Sequence, residues 1–190
     1  WEDSTSQAHY DAIVFGSSVM YRPGKILRAG RHGEGGGASG SDRTETIDIA
    51  AGTIPGWQVY EVHEELGHYQ MLPRANQNLT VLPTGDVLAT GGRAGTDSST
   101  AQRKPQIWKV AIGGWNNPDN GDSLVSDPKP RNYHSAAILL PDGRVLTSGG
   151  EGERNDSKYT ASIYEPPYLF RSDDSYASRP TIQGAPEKML

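Results

Sequence analysis

The sequence predicts an all-β fold, part of a β-propeller, and three observations support this prediction. Only 34% of the 190 residues are hydrophobic, whereas 23 are glycine and 13 are proline. This composition is typical of short strands joined by tight turns. The apolar residues form short runs bounded by proline, aspartate and glycine, rather than long stretches with a helical period. One hairpin-like unit also occurs three times along the chain, which is typical of propellers and solenoids.

The repeated unit is clearest in residues 131–150, where adjacent Tyr133 and His134 precede an apolar run. A Pro-Asp-Gly turn follows, then a second short apolar run and a Gly-Gly pair. We interpret the stretch as a buried β-hairpin, because proline presets the corner of a turn and Gly143 adopts positive φ without strain. The inner strands read as continuous apolar runs, so we expect neighbouring blades to bury both of their faces.

Residues 19–31 and 80–92 repeat the same hairpin. The turn glycines of the three units are 61 and 58 residues apart, at Gly24, Gly85 and Gly143. Candidate third strands follow at residues 45–49, 105–110 and 159–164, and a clear fourth candidate follows only in the first unit, at residues 57–60. A period of this size with a Gly-Gly end is kelch-like. We therefore expect about three four-stranded blades of a kelch-type propeller that has roughly seven.

Charge and composition exclude several classes of function. The net charge is −5 and no basic cluster occurs, which argues against a nucleic-acid partner. No apolar run approaches the roughly 20 residues of a membrane span, so no membrane partner is expected. The chain has no cysteine and hence no disulfide. It starts at Trp1 without a signal peptide, and three blades do not close a ring, so we expect a piece of a longer or processed protein.

The antiparallel strand pattern places several loops on one rim of the propeller. Residues 74–78 and 131–135 precede inner strands, on the rim that also carries the glycine-rich linkers. Neighbours in a regular strand point to opposite faces, so Tyr133 and His134 reach one metal only from irregular backbone before the strand. Imidazole suits copper, zinc and iron, and a phenolate favours copper or iron. The alternative is a half-buried tyrosine and a capping histidine where the strand begins.

Other polar residues have both a structural and a functional interpretation. Arg74, Asn76 and Arg131 lie next to inner strands, where they either satisfy backbone groups or form a second shell around a site or contact a substrate. His63 and His68 resemble a zinc-protease helix only superficially, because ligands five residues apart fall on different faces of a helix. We interpret that stretch as a loop between blades.

The last unit also carries a family resemblance. Residues 131–135 (Arg-Asn-Tyr-His-Ser) and 139–145 (Leu-Leu-Pro-Asp-Gly-Arg-Val) resemble the last propeller blade of galactose oxidase and glyoxal oxidase, the copper-radical oxidases. Residues 163–170, the Arg-Pro-Thr-Ile segment at 179–182 and the Ala-Pro pair at 185–186 extend the resemblance. It implies propeller blades over residues 1–170, at about 1–66, 67–126 and 127–170. Residues 171–190 would be a linker and the first segment of a C-terminal immunoglobulin-like β-sandwich.

The resemblance implies a secreted enzyme that oxidises a primary alcohol or aldehyde with O2 and gives H2O2, using one copper ion and a protein radical. It assigns Tyr133 as the axial copper ligand and general base, and His134 as an equatorial ligand. The remaining ligands, a tyrosine cross-linked to cysteine and a C-terminal histidine, are outside these residues. We therefore expect the isolated chain to be inactive and to need the rest of its own propeller and C-terminal domain.

The implied substrates are a small alcohol, aldehyde or carbohydrate together with O2. Galactose itself is disfavoured, because a glycine-rich loop follows Gly30 where galactose oxidase has a Tyr-Gln pair that contacts the sugar. The alternative function is that of a non-catalytic propeller that binds a carbohydrate or a protein.

Overall fold

The computed structural model describes residues 16–30, 40–51, 56–95, 98–119, 124–150, 159–181 and 184. Within these ranges the chain forms eleven β-strands in three separate antiparallel sheets, and it forms no α-helix. The predicted all-β class is confirmed, and the sheets do not close into a ring. In the part of the chain that is described, no helix is long and apolar enough to cross a membrane.

Each sheet follows the chain order, with consecutive strands hydrogen-bonded to each other. The first sheet contains β1 (Ser17–Arg22), β2 (Lys25–Ala29), β3 (Thr44–Asp48) and β4 (Gln58–Val59). The second contains β5 (Ala75–Val81), β6 (Val87–Arg93), β7 (Gln106–Lys109) and β8 (Gly114–Trp115). The third contains β9 (Ser135–Leu139), β10 (Val145–Gly149) and β11 (Ala161–Tyr164). Short 3-10 helices lie at Ile49–Ala51, Glu64–Leu66, Ser98–Thr100 and Pro167–Leu169.

The first two sheets are four-stranded, and β8 supplies the fourth strand that the sequence pattern left open in the second unit. The third sheet has three strands among the described residues. The exact blade boundaries, and the assignment of residues 171–190 to a second domain, stay predictions.

Local turn chemistry fixes the hairpins. Gly24, Gly85 and Gly143 have φ values of 75°, 85° and 85°, as predicted from their alignment. In the second and third hairpins the glycine N–H donates to the carbonyl three residues earlier, at 2.8 and 2.9 Å. A proline occupies the position after that carbonyl in both, where its fixed φ suits the corner.

Two apolar clusters hold the sheets together. Between the first and second sheets, Trp115 is fully buried and its ring meets that of Trp108 edge-on at 5.6 Å. Its indole N–H donates to Thr44 Oγ1 at 2.9 Å, which ties β8 to β3. Between the second and third sheets, the buried members are Leu82, Leu88, Ile107 and Val145. Burial of large apolar side chains, at roughly 1.5–3 kcal/mol each, is therefore concentrated between adjacent sheets.

The expectation that both faces of the inner strands are buried is wrong for β9. Ile138 is 57% exposed and Leu139 is 36% exposed. The reason is position, because β5 packs between β1 and β9, whereas β9 is the last inner strand of the row. No described part of the chain covers the other side of β9.

Gly91 lies at a close approach between the second sheet and the segment that precedes the third. Its φ is 66°, and a Cβ built there would overlap the Arg131 carbonyl oxygen of that segment. Gly30 makes the equivalent approach between the first two sheets, where a Cβ would lie 2.6 Å from the Arg74 carbonyl oxygen. Glycine at these positions is required by space as well as by backbone conformation.

We predict that Gly91→Ala lowers the free energy of unfolding by about 2–5 kcal/mol, because positive φ costs about 1–2 kcal/mol and overpacking about 1–3 kcal/mol. Gly85→Ala is the matched control, since its φ is 85° but no atom lies within 4 Å of the added Cβ. It should cost only the backbone strain. Urea denaturation midpoints of both variants measure the difference, and equal losses would mean that the two sheets do not meet closely at Gly91.

Candidate functional site

Tyr133 and His134 lie in a turn directly before β9. His134 has a φ of 61°, in the left-handed region, so the pair does not follow the alternation of a strand. The two rings instead lie close together, with centroids 3.7 Å apart and planes inclined by 31°. The irregular backbone that metal binding by both residues requires is therefore present.

Both side chains of this pair reach the surface, and the exposed fraction of Tyr133 is 40%. They offer a phenol oxygen and an imidazole nitrogen, two donors suited to a transition metal. No group of three or more His, Cys, Asp or Glu side chains able to hold a metal occurs within the described ranges. The structure brings two candidate ligands together, and metal binding by them stays a prediction.

The backbone at His134 is repeated in the neighbouring sheet. Asn76, the second residue of β5, occupies the corresponding position and has a φ of 63°. The pairing registers agree, because Gln77 lies opposite Gly91 as Ser135 lies opposite Gly149. Asparagine and histidine are among the residues that tolerate left-handed φ. The second and third sheets thus share the left-handed backbone conformation at this position, whereas only the third has an imidazole there.

The two inner strands are also tied together near this rim. The Asn78 side-chain amide donates to Ser135 Oγ at 3.0 Å, so the start of β9 is held against β5. The Ser135 N–H donates to the Asn132 carbonyl oxygen at 3.0 Å and closes the turn that contains Tyr133 and His134. Asn132 is 3% exposed, and its side-chain amide has no hydrogen-bond partner within the described part of the chain.

Arg74, predicted either as a backbone partner or as part of a site, is fully buried. Its guanidinium donates to the carbonyl oxygens of Gly91 at 2.6 Å, Gln102 at 3.5 Å and Lys104. It therefore joins the end of β6 to the segment that leads into β7. Burial lowers the pKa of Arg74 to about 9, so the group is still charged at neutral pH.

Arg131 repeats this arrangement in the third sheet and is 1% exposed. Nη1 donates to the carbonyl oxygens of Gly149 at 3.0 Å and Thr160 at 2.9 Å, and Nη2 donates to Ser162 Oγ at 2.9 Å. Both arginines thus donate hydrogen bonds to backbone carbonyls, and neither is exposed on the rim. Roles for Arg74, Asn76 and Arg131 around a site or substrate stay predictions.

Sequence reasoning missed Asp127, whose carboxylate connects Arg131 to β10 and β11 of the third sheet. Its carboxylate accepts hydrogen bonds from Thr147 Oγ1 at 2.7 Å and Ser162 Oγ at 2.9 Å, and from Arg131 Nε at 3.4 Å. It also accepts the backbone N–H of Lys129 at 2.8 Å. The Asp-Pro dipeptide at 127–128 indicates a turn, but nothing in the sequence shows that the carboxylate points inward.

Comparison with known proteins identifies the family. Over 176 residues the chain is 34% identical to galactose oxidase from Gibberella zeae, an alignment covering 88% of this chain and 24% of that protein. Over 120 residues it is 32% identical to aldehyde oxidase GLOX from Vitis pseudoreticulata, covering 58% of this chain and 22% of that one. The chain belongs to the galactose oxidase and glyoxal oxidase family. The resemblance noted in the sequence is confirmed.

Solved structures confirm the fold of this family member. A fungal alcohol oxidase described as having catalytic diversity among the AA5 family, solved in complex with copper, superimposes with a TM-score of 0.73. The identity is 24%, and the match covers 93% of this chain and 36% of that one. YjhT gives a TM-score of 0.51 at 12% identity, covering 75% of this chain and 35% of that one. The prediction of part of a β-propeller is therefore confirmed.

No protein-family model matches the chain. The chain spans about a quarter of the length of the curated relatives that it matches. Those relatives are oxidases by name, and the fungal neighbour was solved with copper.

Proposed function

We propose that the longer protein containing this chain is a secreted copper-radical oxidase. It would oxidise a primary alcohol, an aldehyde or a carbohydrate alcohol with O2 and release H2O2. The observation that carries the proposal is the exposed pair of Tyr133 and His134, held side by side before β9 in a member of this family.

The donor set fits copper in part. Phenolate oxygen and imidazole nitrogen are both established copper ligands, and the 3.7 Å separation of the two rings keeps them on one side of the backbone. Among the described residues no group of three or more His, Cys, Asp or Glu side chains could hold a metal, and the chain has no cysteine for a cross-linked tyrosine. We therefore expect the 190 residues alone to have no oxidase activity.

In this proposal, the chain's own residues bind the metal and move a proton. His134 would hold the ion through a ring nitrogen, and Tyr133 Oη would accept the proton of the substrate hydroxyl as a general base. When bound, copper would supply the redox centre of the reaction. The overall reaction balances, because an alcohol loses two protons and two electrons as it becomes an aldehyde, and O2 takes them up as H2O2. An aldehyde would react as its hydrate, which loses the same two protons and two electrons and becomes a carboxylic acid.

The decisive experiment replaces His134 by asparagine in the longer protein. Asn76 adopts the same left-handed φ in the neighbouring sheet, so His134→Asn removes the imidazole without straining the backbone. We expect bound copper to fall from one ion per chain to near zero, and peroxide release on a panel of alcohols and aldehydes to fall at least about 100-fold. The urea midpoint of the metal-free protein should not change.

Two outcomes would contradict the proposal. Unchanged copper content and peroxide release in His134→Asn would remove His134 from the metal site. A wild-type protein that holds no copper and releases no peroxide on any substrate of the panel would favour the non-catalytic propeller instead.

A further inference from the structure

His63 and His68 are brought together by a turn that sequence reasoning did not foresee. Between them runs a single 3-10 turn, Glu64–Leu66, ended by Gly67 in the left-handed conformation with φ of 77°. The chain reverses there, so His63 and His68 form an antiparallel bridge in which the His68 N–H donates to the His63 carbonyl at 3.0 Å. Directly opposed residues of an antiparallel pair have their side chains on the same face.

The distance between the two rings suits a shared ion. Their centroids lie 6.0 Å apart with planes inclined by 77°. A metal bound at about 2.0–2.1 Å from an imidazole nitrogen lies about 3.2 Å from the centre of that ring, so the centres of two rings that share one ion are about 5.2 Å apart at a tetrahedral angle and about 6.4 Å apart when collinear. The observed separation lies between these limits, and a small rotation of the half-exposed His63 side chain gives the tetrahedral value. The spacing of five residues, which excludes a helical zinc site, permits chelation across this turn.

Glu65 is placed to orient one of these rings. Its Oε1 lies 3.3 Å from His63 Nδ1, a contact that favours the tautomer with the proton on Nδ1 and leaves Nε2 able to bind a metal. An ionised carboxylate on the second nitrogen of a histidine is the usual outer partner of a metal-binding imidazole.

The loop is anchored to the second sheet on its inner side. A Cβ on Gly114 would lie 3.1 Å from His68 Cα, and Tyr69 forms a backbone bridge to Trp115 of β8. Tyr60 Oη donates to the Tyr69 carbonyl at 3.0 Å. These contacts fix the backbone of the pair beforehand, as a binding site requires. The His63 side chain remains 48% exposed and borders a groove of 530 Å³ between the first two sheets.

We propose that His63 and His68 together bind one divalent transition-metal ion of the Zn²⁺, Cu²⁺ and Ni²⁺ class, with Glu65 orienting His63 and water completing the coordination. A two-histidine site is consistent with the lack of any three-residue ligand cluster in the described ranges. It lies beside the outer strand β8, whereas Tyr133 and His134 precede the inner strand β9, and it does not depend on the proposed oxidase activity.

A Zn²⁺ titration followed by NMR of the protein tests the site. Tyr133→Phe/His134→Asn serves as the background, so that the other candidate ligands do not compete for the ion. We expect saturable shifts of the His63 and His68 imidazole signals and of nearby backbone amides. His63→Asn should weaken Zn²⁺ binding at least about tenfold and Glu65→Gln about tenfold. The neighbouring Glu64→Gln is the matched control and should bind as the background does.

The His63→Asn variant decides the question, because that side chain is half exposed and its loss should leave folding intact. Equal Zn²⁺ affinity in His63→Asn and in the background would overturn the proposal. So would shifts confined to regions outside residues 60–69.

Discussion

Replacing Arg131 by methionine is expected to lower the free energy of unfolding by about 3–5 kcal/mol. The guanidinium is 1% exposed and lies against the Asp127 carboxylate at 3.4 Å. Methionine fills similar volume but removes the positive charge beside that carboxylate, and it leaves the carbonyls of Gly149 and Thr160 without the guanidinium donor. A buried polar group that loses its partner bears its full desolvation cost. The end of β10 and the start of β11 would then lose their connection.

Two further variants show whether geometry or charge carries this effect. Arg131→Lys keeps the charge, but one ammonium group cannot span carbonyls on two strands and the Ser162 hydroxyl, so it should recover little stability. Arg144→Met removes a half-exposed ion pair, in which a guanidinium lies 2.6 Å from Asp142, and should cost far less stability than Arg131→Met, about 1 kcal/mol or less. Chemical denaturation compares all three. An Arg131→Met midpoint equal to that of Arg144→Met would show that the buried arginine does not brace the sheet.

The parts of the fold that were predictable from the sequence depend on local chemistry. The hairpin turns are defined by a proline followed two residues later by a glycine with positive φ, as at Gly85 and Gly143. The repeat of this unit then predicts the sheets. By contrast, β8 is a two-residue strand, Gly114–Trp115, too short for any pattern. The exposure of Ile138 depends on which sheet lies beside β9, which no local pattern specifies.

The residues of the candidate site were predictable from the sequence, but the hydrogen bonds that hold the segment around them in place were not. The Tyr133–His134 pair is noticeable because of its position before an apolar run. Apart from Asp127, the partners of Arg131 lie 18–31 residues away in sequence, so its burial follows from the assembled sheet. The proximity of His63 and His68 was not predictable for a similar reason. The five-residue spacing of the two histidines excludes a shared face only if they lie on an α-helix. In the structure a single 3-10 turn lies between them, and Gly67 ends it and reverses the chain.

The phenol oxygen of Tyr133 separates two roles that the proposed function combines. Tyr133→Phe removes only Oη and keeps a ring that can still pack on His134, at the 3.7 Å separation of the native pair. If Tyr133 is the general base, the longer protein should keep most of its copper and lose about 10²–10⁴-fold in kcat. The pH dependence that arises from the base should also disappear. Peroxide release and metal content measured on the same preparation give both quantities.

Tyr133→Phe and His134→Asn should differ in which of the two measured quantities, bound copper and activity, they lose. Loss of the imidazole removes copper and activity together, whereas loss of the phenol should remove activity alone. Tyr159→Phe is the matched control, since its side chain is 85% exposed, and it should leave both measurements unchanged. If Tyr133→Phe loses copper as completely as His134→Asn, the phenol is needed to hold the metal, and the prediction that its loss removes activity alone is wrong. If it keeps both copper and full activity, neither role belongs to Tyr133.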